Sequence, residues 1–176
     1  WLRGDTTSNV YISFGTNVKL KAKVAAAILD AASGMDDFRF LWDAQEEEVE
    51  ALLTLGRPAD QAHATAMPPN VLFAPRVSQL RILSSGRIAA FITHCGLNSV
   101  HEALHFGVPM LGLPFVGDQM VTARLIVEMG AGARISVPRL KSEALQTTLR
   151  HVASGRMAAK AAWAGLVGRR AGGAAL

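Results

Sequence analysis

The sequence predicts an α/β domain with a doubly wound parallel sheet. Three observations carry that prediction. Strand-like and helix-like stretches alternate along nearly the whole chain. The strand-like runs are short and almost wholly apolar, as expected when helices cover both faces of a sheet. Glycine or proline punctuates most of the junctions between them.

The elements follow in order. Val10-Tyr11-Ile12-Ser13-Phe14 is rich in β-branched and aromatic residues and ends at Gly15, so it reads as a strand. Lys21 to Ser33 reads as a helix, with Val24, Ile28 and Leu29 on one apolar side and Gly34 stopping it. Phe38 to Trp42 is the next strand. Glu46 to Leu55 is a short helix whose first-turn glutamates suit the helix dipole. Gly56 to Pro69 is loop, punctuated by Pro58, Pro68 and Pro69. Val71 to Ala74 is a strand, Ser78 to Ser84 a brief helix, and Ile88 to Thr93 a strand without a charge. Leu97 to Phe106 is a helix that Gly107 and Pro109 end. Met110 to Leu113 is a strand, Gln119 to Met129 a helix, Ala133 to Val137 a strand and Ser142 to Ala153 a helix. Ala158 to Val167 closes the chain as a final helix before Gly168.

Composition removes several classes of function. The chain has 176 residues, half of them hydrophobic and 18% charged, which supports one packed domain and argues against disorder. No apolar run is long enough to span a bilayer. The sequence begins at Trp1 without a methionine or a signal-peptide core, so it is expected to be part of a longer protein. Cys95 is the single cysteine; an intrachain disulfide and a cysteine-rich metal site are excluded, and a reducing compartment is mildly favoured. The net charge of +4 is scattered rather than arranged as a basic stripe with aromatics, so nucleic acid is not an expected partner.

In doubly wound folds ligands sit outside the carboxyl ends of the strands. Three stretches fall there: Gly15-Thr16-Asn17, Thr93 to Ser99, and Pro114 to Gln119. In the second, Gly96 permits close backbone approach and the following helix offers unpaired N–H groups to an anion. His94 stands beside that turn as a further donor. Asn98 and Ser99 serve equally well as helix caps or as phosphate ligands, and His94 as a satisfied loop histidine. Gly15-Thr16 alone is ordinary strand-to-helix punctuation. Asp118 and Gln119 can together clamp vicinal hydroxyls, since a carboxylate accepts and a carboxamide does both; Asp118 fits a helix cap equally well.

His101-Glu102-Ala103-Leu104-His105 matches H-E-x-x-H, the pattern of zinc hydrolases. A catalytic zinc site needs a third protein ligand. Downstream, Glu128 and Glu143 stand in no recognisable motif, and no histidine completes the longer form of the pattern. His105 also falls in the last helical turn, where the dipole favours it. A zinc hydrolase is thus the remote alternative.

The order of the pieces is more specific than any one of them. THCGLNSVHEALHFGVP, running from Thr93 to Pro109, is followed by LPFVGDQ from Leu113 to Gln119. This strongly resembles the sugar-donor signature of the UDP-dependent glycosyltransferases. Val10-Tyr11-Ile12-Ser13-Phe14-Gly15-Thr16, Phe38 to Trp42, Pro68-Pro69-Asn70-Val71 and Met129 to Gly132 are similar to further family segments in the expected order. The resemblance covers about Trp1 to His151. It implies a Rossmann-like domain, the C-terminal half of a GT-B fold. Residues 1–153 would form the UDP-sugar domain and residues 154–176 an Ala/Gly-rich basic tail or helix. The N-terminal acceptor domain, which carries the catalytic base, has no counterpart in this chain.

The resemblance implies roles residue by residue. His94 would contact the diphosphate; Asn98 and Ser99 would hold the α-phosphate, with Gly96 opening the approach. Thr16 would lie near the β-phosphate. Glu102 would accept bonds from the ribose hydroxyls and Gln79 would lie near ribose and uracil. Asp118 and Gln119 would bind the sugar. The implied reaction is inverting transfer of a hexose from a UDP-sugar to an acceptor hydroxyl, without metal or other cofactor. The acceptor would be a small lipophilic or sterol-like molecule. The compartment would be cytoplasmic, or the membrane surface through a segment outside this chain. The alternative is a truncated or degenerate module that binds a nucleotide sugar without transferring it. Three departures stand out: Arg76 where the family often has a uracil-stacking tryptophan, Ser78 where a proline is usual, and Thr122 where an asparagine is common. Arg76 can stack through its planar guanidinium, with poorer apolar coverage. Ser78 is expected to loosen its loop.

Overall fold

A computed structural model describes residues 8–16, 18–55 and 67–170. Asn17, most of the expected loop after Leu55 (residues 56–66) and the two chain ends lie outside the described residues. Six parallel strands form one sheet, ordered β3-β2-β1-β4-β5-β6. They are β1 (Ser8–Ser13), β2 (Phe38–Trp42), β3 (Val71–Phe73), β4 (Ile88–Thr93), β5 (Met110–Gly112) and β6 (Gly132–Arg134). The helices are α1 (Ala22–Ser33), α2 (Glu46–Leu55), α3 (Gln79–Leu83), α4 (Leu97–His105), α5 (Asp118–Glu128), α6 (Ser142–Val152) and α7 (Gly155–Arg170). Strand order reverses between β1 and β4, which is where a doubly wound sheet opens its ligand crevice.

The two-residue period of each strand divides the core into two layers. Val10, Ile12, Phe40, Trp42, Ile92 and Leu111 pack with Val24, Ile28, Leu145 and Leu149 of α1 and α6. Tyr11, Leu41, Phe91 and Met110 face the other way, onto Val100 and Ala103 of α4 and Ala123 and Ile126 of α5. Each large aliphatic side chain sealed this way contributes about 1.5–3 kcal/mol. Asn70 joins the layers' margins: its Nδ2 donates to the carbonyls of Ala32, Met35 and Phe38 at 2.9, 3.0 and 3.1 Å, tying the end of α1 to the starts of β2 and β3.

Two expected elements change extent. The strand expected over Ala133–Val137 is only Gly132–Arg134, and Val137–Arg139 forms a 3₁₀ turn. Pro138 explains the switch: it lacks an N–H for a ladder and fixes φ near the helical value. The last helix extends beyond Ala158–Val167 at both ends. It lies on α4 at backbone contact distance. A Cβ on Gly165 would stand 1.9 Å from the Leu104 carbonyl oxygen, and one on Gly107 would stand 2.9 Å from Ala162 Cα. Arg169 also donates to the His105 carbonyl. Among the described residues no helix is long and apolar enough to cross a membrane.

Two buried acids report on the core. Tyr11 stacks on Phe91 with ring centroids 5.0 Å apart. Burial first, and then the Asp43 carboxylate, push its phenol well above the ordinary value. Burial alone pushes the Cys95 thiol up to about 12. In both cases the fold favours the neutral form, so the stability they confer is complete below the unfolded values and lost as pH rises past them. Above about pH 10 each group should steepen the loss by about 1.4 kcal/mol per pH unit. Urea unfolding at pH 9, 10 and 11 tests this. Cys95→Ala and Tyr11→Phe should each flatten the slope by about one proton's worth, and slopes unchanged in both would refute it.

Candidate donor-binding site

The site lies at the carboxyl ends of β1, β4 and β5 and is bordered by α3 and α4. Its centre is a turn formed by His94, Cys95 and Gly96. Cys95 takes a left-handed conformation, with φ 65°, and is fully buried. Its N–H is held by Thr93 Oγ1 at 3.2 Å. Its sulfur lies against Gly112, where a Cβ would come within 2.5 Å. Cys95 is thus a packing residue beneath the turn, and its raised pKa disfavours a thiolate.

Gly96 is the N-cap of α4, and no side chain caps the helix. The expectation that Asn98 or Ser99 serves as a cap is therefore corrected. Both stand inside the first turn, Asn98 exposed and Ser99 half-buried. The first N–H groups of α4 consequently keep their positive partial charge for another acceptor. His94 is wedged between two glycines. A Cβ on Gly15 would meet its Cε1 at 3.0 Å and a Cβ on Gly96 its Nε2 at 2.4 Å. Its Nδ1 is buried without a hydrogen-bond partner in the structure. Burial lowers its pKa; the Ser13 main chain and the Asp118 carboxylate pull more weakly the other way. Burial therefore favours the neutral imidazole, which carries one N–H donor.

One turn further along α4, Glu102 meets Gln79. Gln79 Nε2 donates to Glu102 Oε2 at 2.7 Å and to Ser99 Oγ at 3.2 Å. Three of the residues implicated by the sequence, from two separate helices, thus share one network. Glu102 keeps Oε1 for a ligand, and Gln79 keeps its carbonyl oxygen. Ser78, expected to loosen its loop, instead accepts from Arg81 N as the N-cap of α3.

The third strand end is arranged differently from expectation. Gly117, at φ 56°, is the N-cap of α5; Asp118 is the first helical residue and caps nothing. Asp118 is exposed. Gln119 folds back, its Oε1 accepting from Phe115 N at 2.8 Å and Val116 N at 3.2 Å. Its oxygen braces its own loop. Thr122 is buried and donates to the Asp118 carbonyl at 3.1 Å. Thr16 lies exposed on the loop after β1.

Sequence reasoning missed Asp43, the first residue after β2. Its Oδ2 accepts from Tyr11 OH at 3.3 Å and Ser13 Oγ at 3.4 Å; its Oδ1 accepts from the main-chain N of Arg76 at 2.7 Å. Arg76 itself is a non-glycine at φ 58°, a conformation that costs a bulky residue roughly 1–2 kcal/mol. The strand-end rule would have pointed to Asp43. The left-handed backbone of Arg76 leaves no mark in its sequence.

Among the described residues the HEALH histidines have no third metal-ligating side chain grouped with them. His101 is exposed, and both line an apolar groove of about 380 Å³ between α4, α5 and α7, with Leu97, Val100, Leu104 and Ile126. His105 packs edge-on against Phe106. Among the described residues there is no group of three His, Cys, Asp or Glu side chains placed to hold a metal.

The fold and this turn define a Rossmann-like domain with an anion-accepting helix N-terminus and a carboxylate beside it, the architecture of a nucleotide-binding domain. Comparison makes the class specific. Residues 5–162 match the family described as UDP-glucoronosyl and UDP-glucosyl transferase, and the chain belongs to that family. It is 36% identical over 132 residues to a myricetin 3-O-rhamnosyltransferase of Crocosmia x crocosmiiflora, covering 72% of this chain and 26% of that protein. It is 37% identical over 140 residues to a UDP-glucosyl transferase of Saponaria officinalis, covering 79% of this chain and 28% of the other. The chain thus spans little more than a quarter of these relatives. Among solved structures, a UDP-glucose:anthocyanidin 3-O-glucosyltransferase in complex with UDP superposes with TM-score 0.79 at 26% identity, over 97% of this chain and 38% of that one. A kitacinnamycin glycosyltransferase gives TM-score 0.79 at 22% identity, over 98% of this chain and 42% of the other, a likeness of fold.

Proposed function

We propose that this chain is the donor-binding half of a UDP-sugar glycosyltransferase. The observation that carries the reading is the network joining Gln79, Ser99 and Glu102 beside the uncapped N-terminus of α4. On this reading the Glu102 carboxylate would accept from vicinal ribose hydroxyls, one helical turn from the N–H groups that would hold the diphosphate. His94, Thr16 and the first N–H groups of α4 would surround the diphosphate. Asp118 and the Gln119 amide would meet the sugar.

On this reading the acceptor oxygen attacks the anomeric carbon from the face opposite the leaving group, with inversion. The bond from that carbon to the β-phosphate oxygen breaks, and UDP departs with the electron pair. The acceptor proton passes to a base outside this chain. Negative charge grows on the β-phosphate, where preorganised donors lower the barrier. The helix N-terminus and the His94 N–H supply that stabilisation, so the proposed transfer uses no metal. The isolated 176-residue chain would bind donor without transferring it.

Thermal melting with UDP, ADP and NAD tests the assignment. UDP should raise the melting temperature most; at a hundred times its Kd, a ligand that binds only the folded state adds about 2.7 kcal/mol of stability. Equal shifts with all three nucleotides would sink the uridine assignment.

A further inference from the structure

We propose that Asp43 is the positioning residue for the nucleotide base, acting through the main chain of Arg76. The proposal rests on the donor-site reading above and goes beyond it in naming what holds the base-side wall. Arg76 stands three residues before Gln79, whose amide reaches Glu102, and on the donor-site reading it lies at the base end of that pocket. Its backbone is left-handed and its side chain is exposed. A bulky residue keeps that conformation only where its surroundings impose it.

Asp43 is the group that imposes it. Its Oδ1 takes the Arg76 N–H at 2.7 Å, and its Oδ2 is fixed in turn by Tyr11 OH and Ser13 Oγ from the neighbouring strand. The carboxylate is thus anchored to β1 on one oxygen and holds the loop after β3 on the other. Ser13 Oγ also accepts from Gly15 N at 3.4 Å, joining the loop that carries Thr16 to the same brace. A guanidinium held there can lie flat on a pyrimidine ring where a tryptophan is otherwise usual. Asp43 need not touch the ligand; it sets where Arg76 stands.

The test measures binding of UDP, ADP and inorganic pyrophosphate to the 176-residue chain by calorimetry. Asp43→Ala should weaken UDP roughly tenfold, the size expected for losing one hydrogen bond to a charged group. Pyrophosphate, which has no base, should change by less than about twofold; this also shows that the variant is folded. Asp43→Asn keeps an oxygen for the Arg76 N–H and should stay within about threefold of the original for UDP. Arg76→Ala should weaken UDP as Asp43→Ala does, and the double variant should be no weaker than either single one. Equal weakening of UDP and pyrophosphate, or additive losses in the double variant, would overturn the positioning role. An original chain that binds UDP no better than ADP overturns the uridine reading itself. A UDP affinity that Asp43→Ala leaves unchanged overturns only the role of Asp43.

Discussion

Glu102→Ala should weaken UDP binding on the order of a hundredfold, the larger of two binding effects expected at this site. The reason is arithmetic. A hydrogen bond to a charged group is worth about 1.5–3 kcal/mol, and on the proposed reading the carboxylate would accept from two ribose hydroxyls. Gln79 already holds Oε2 at 2.7 Å, so little rotamer entropy is lost when ligand arrives. The interaction can be isolated by removing its other partner. 2′-Deoxy-UDP should bind the original chain roughly tenfold more weakly than UDP, whereas the Glu102→Ala variant should barely distinguish the two. If the variant discriminates as well as the original chain, Glu102 does not hold the ribose. Glu102→Gln, which keeps the shape and loses the charge, should fall between.

The second large effect concerns stability. Gly165→Ala should destabilise the domain by about 2–3 kcal/mol, because α7 must move off α4 to admit a methyl group. The added Cβ would stand 1.9 Å from the Leu104 carbonyl oxygen, which belongs to a helix backbone and cannot swing aside. Gly168→Ala, on the same helix with nothing within 4 Å of its Cβ, supplies the control. That change should stabilise by about 0.5–1 kcal/mol through helix propensity alone. The same substitution three residues apart should thus shift the melting temperature in opposite directions, down by roughly 4–12 °C and up by roughly 1–4 °C. Two shifts of the same sign would show that α7 is not seated on α4 as described. Since α4 carries the Gly96 cap at one end and α7 at the other, loosening this contact should also cost affinity for UDP.

Much of the fold was legible because its signals are local and repeated. Parallel strands buried on both faces must be continuous apolar runs, and Ile88–Thr93 shows that without structural help. The strand ending at Val137 misled because Ile135 and Val137 look like β residues, while Pro138 decides the backbone. The candidate site was legible in its identities and not in its contacts. Resemblance named Gln79, Ser99 and Glu102; only the packing of α3 on α4 shows that they share hydrogen bonds. Asn98, Ser99 and Asp118 suit a helix cap by their side chains, yet Gly96 and Gly117 hold the cap positions. Asp43 stands in no motif, so nothing in its stretch of the chain marks it. Its importance comes from Tyr11, Ser13 and Arg76, residues far apart in the chain that the sheet order brings together.

Both margins of the sheet are brief. β3 and β6 are three residues each, and β6 ends at an exposed arginine, Arg134. An incoming strand from another molecule would find only a few open backbone groups to pair with on either side. Short borders of this kind, one of them ending on a charge, limit intermolecular strand addition. The four longer or central strands, which hold the most aggregation-prone apolar sequence, are sealed between these borders. Colloidal stability in this domain is therefore set at its two short outer strands, away from the crevice at the reversal of strand order.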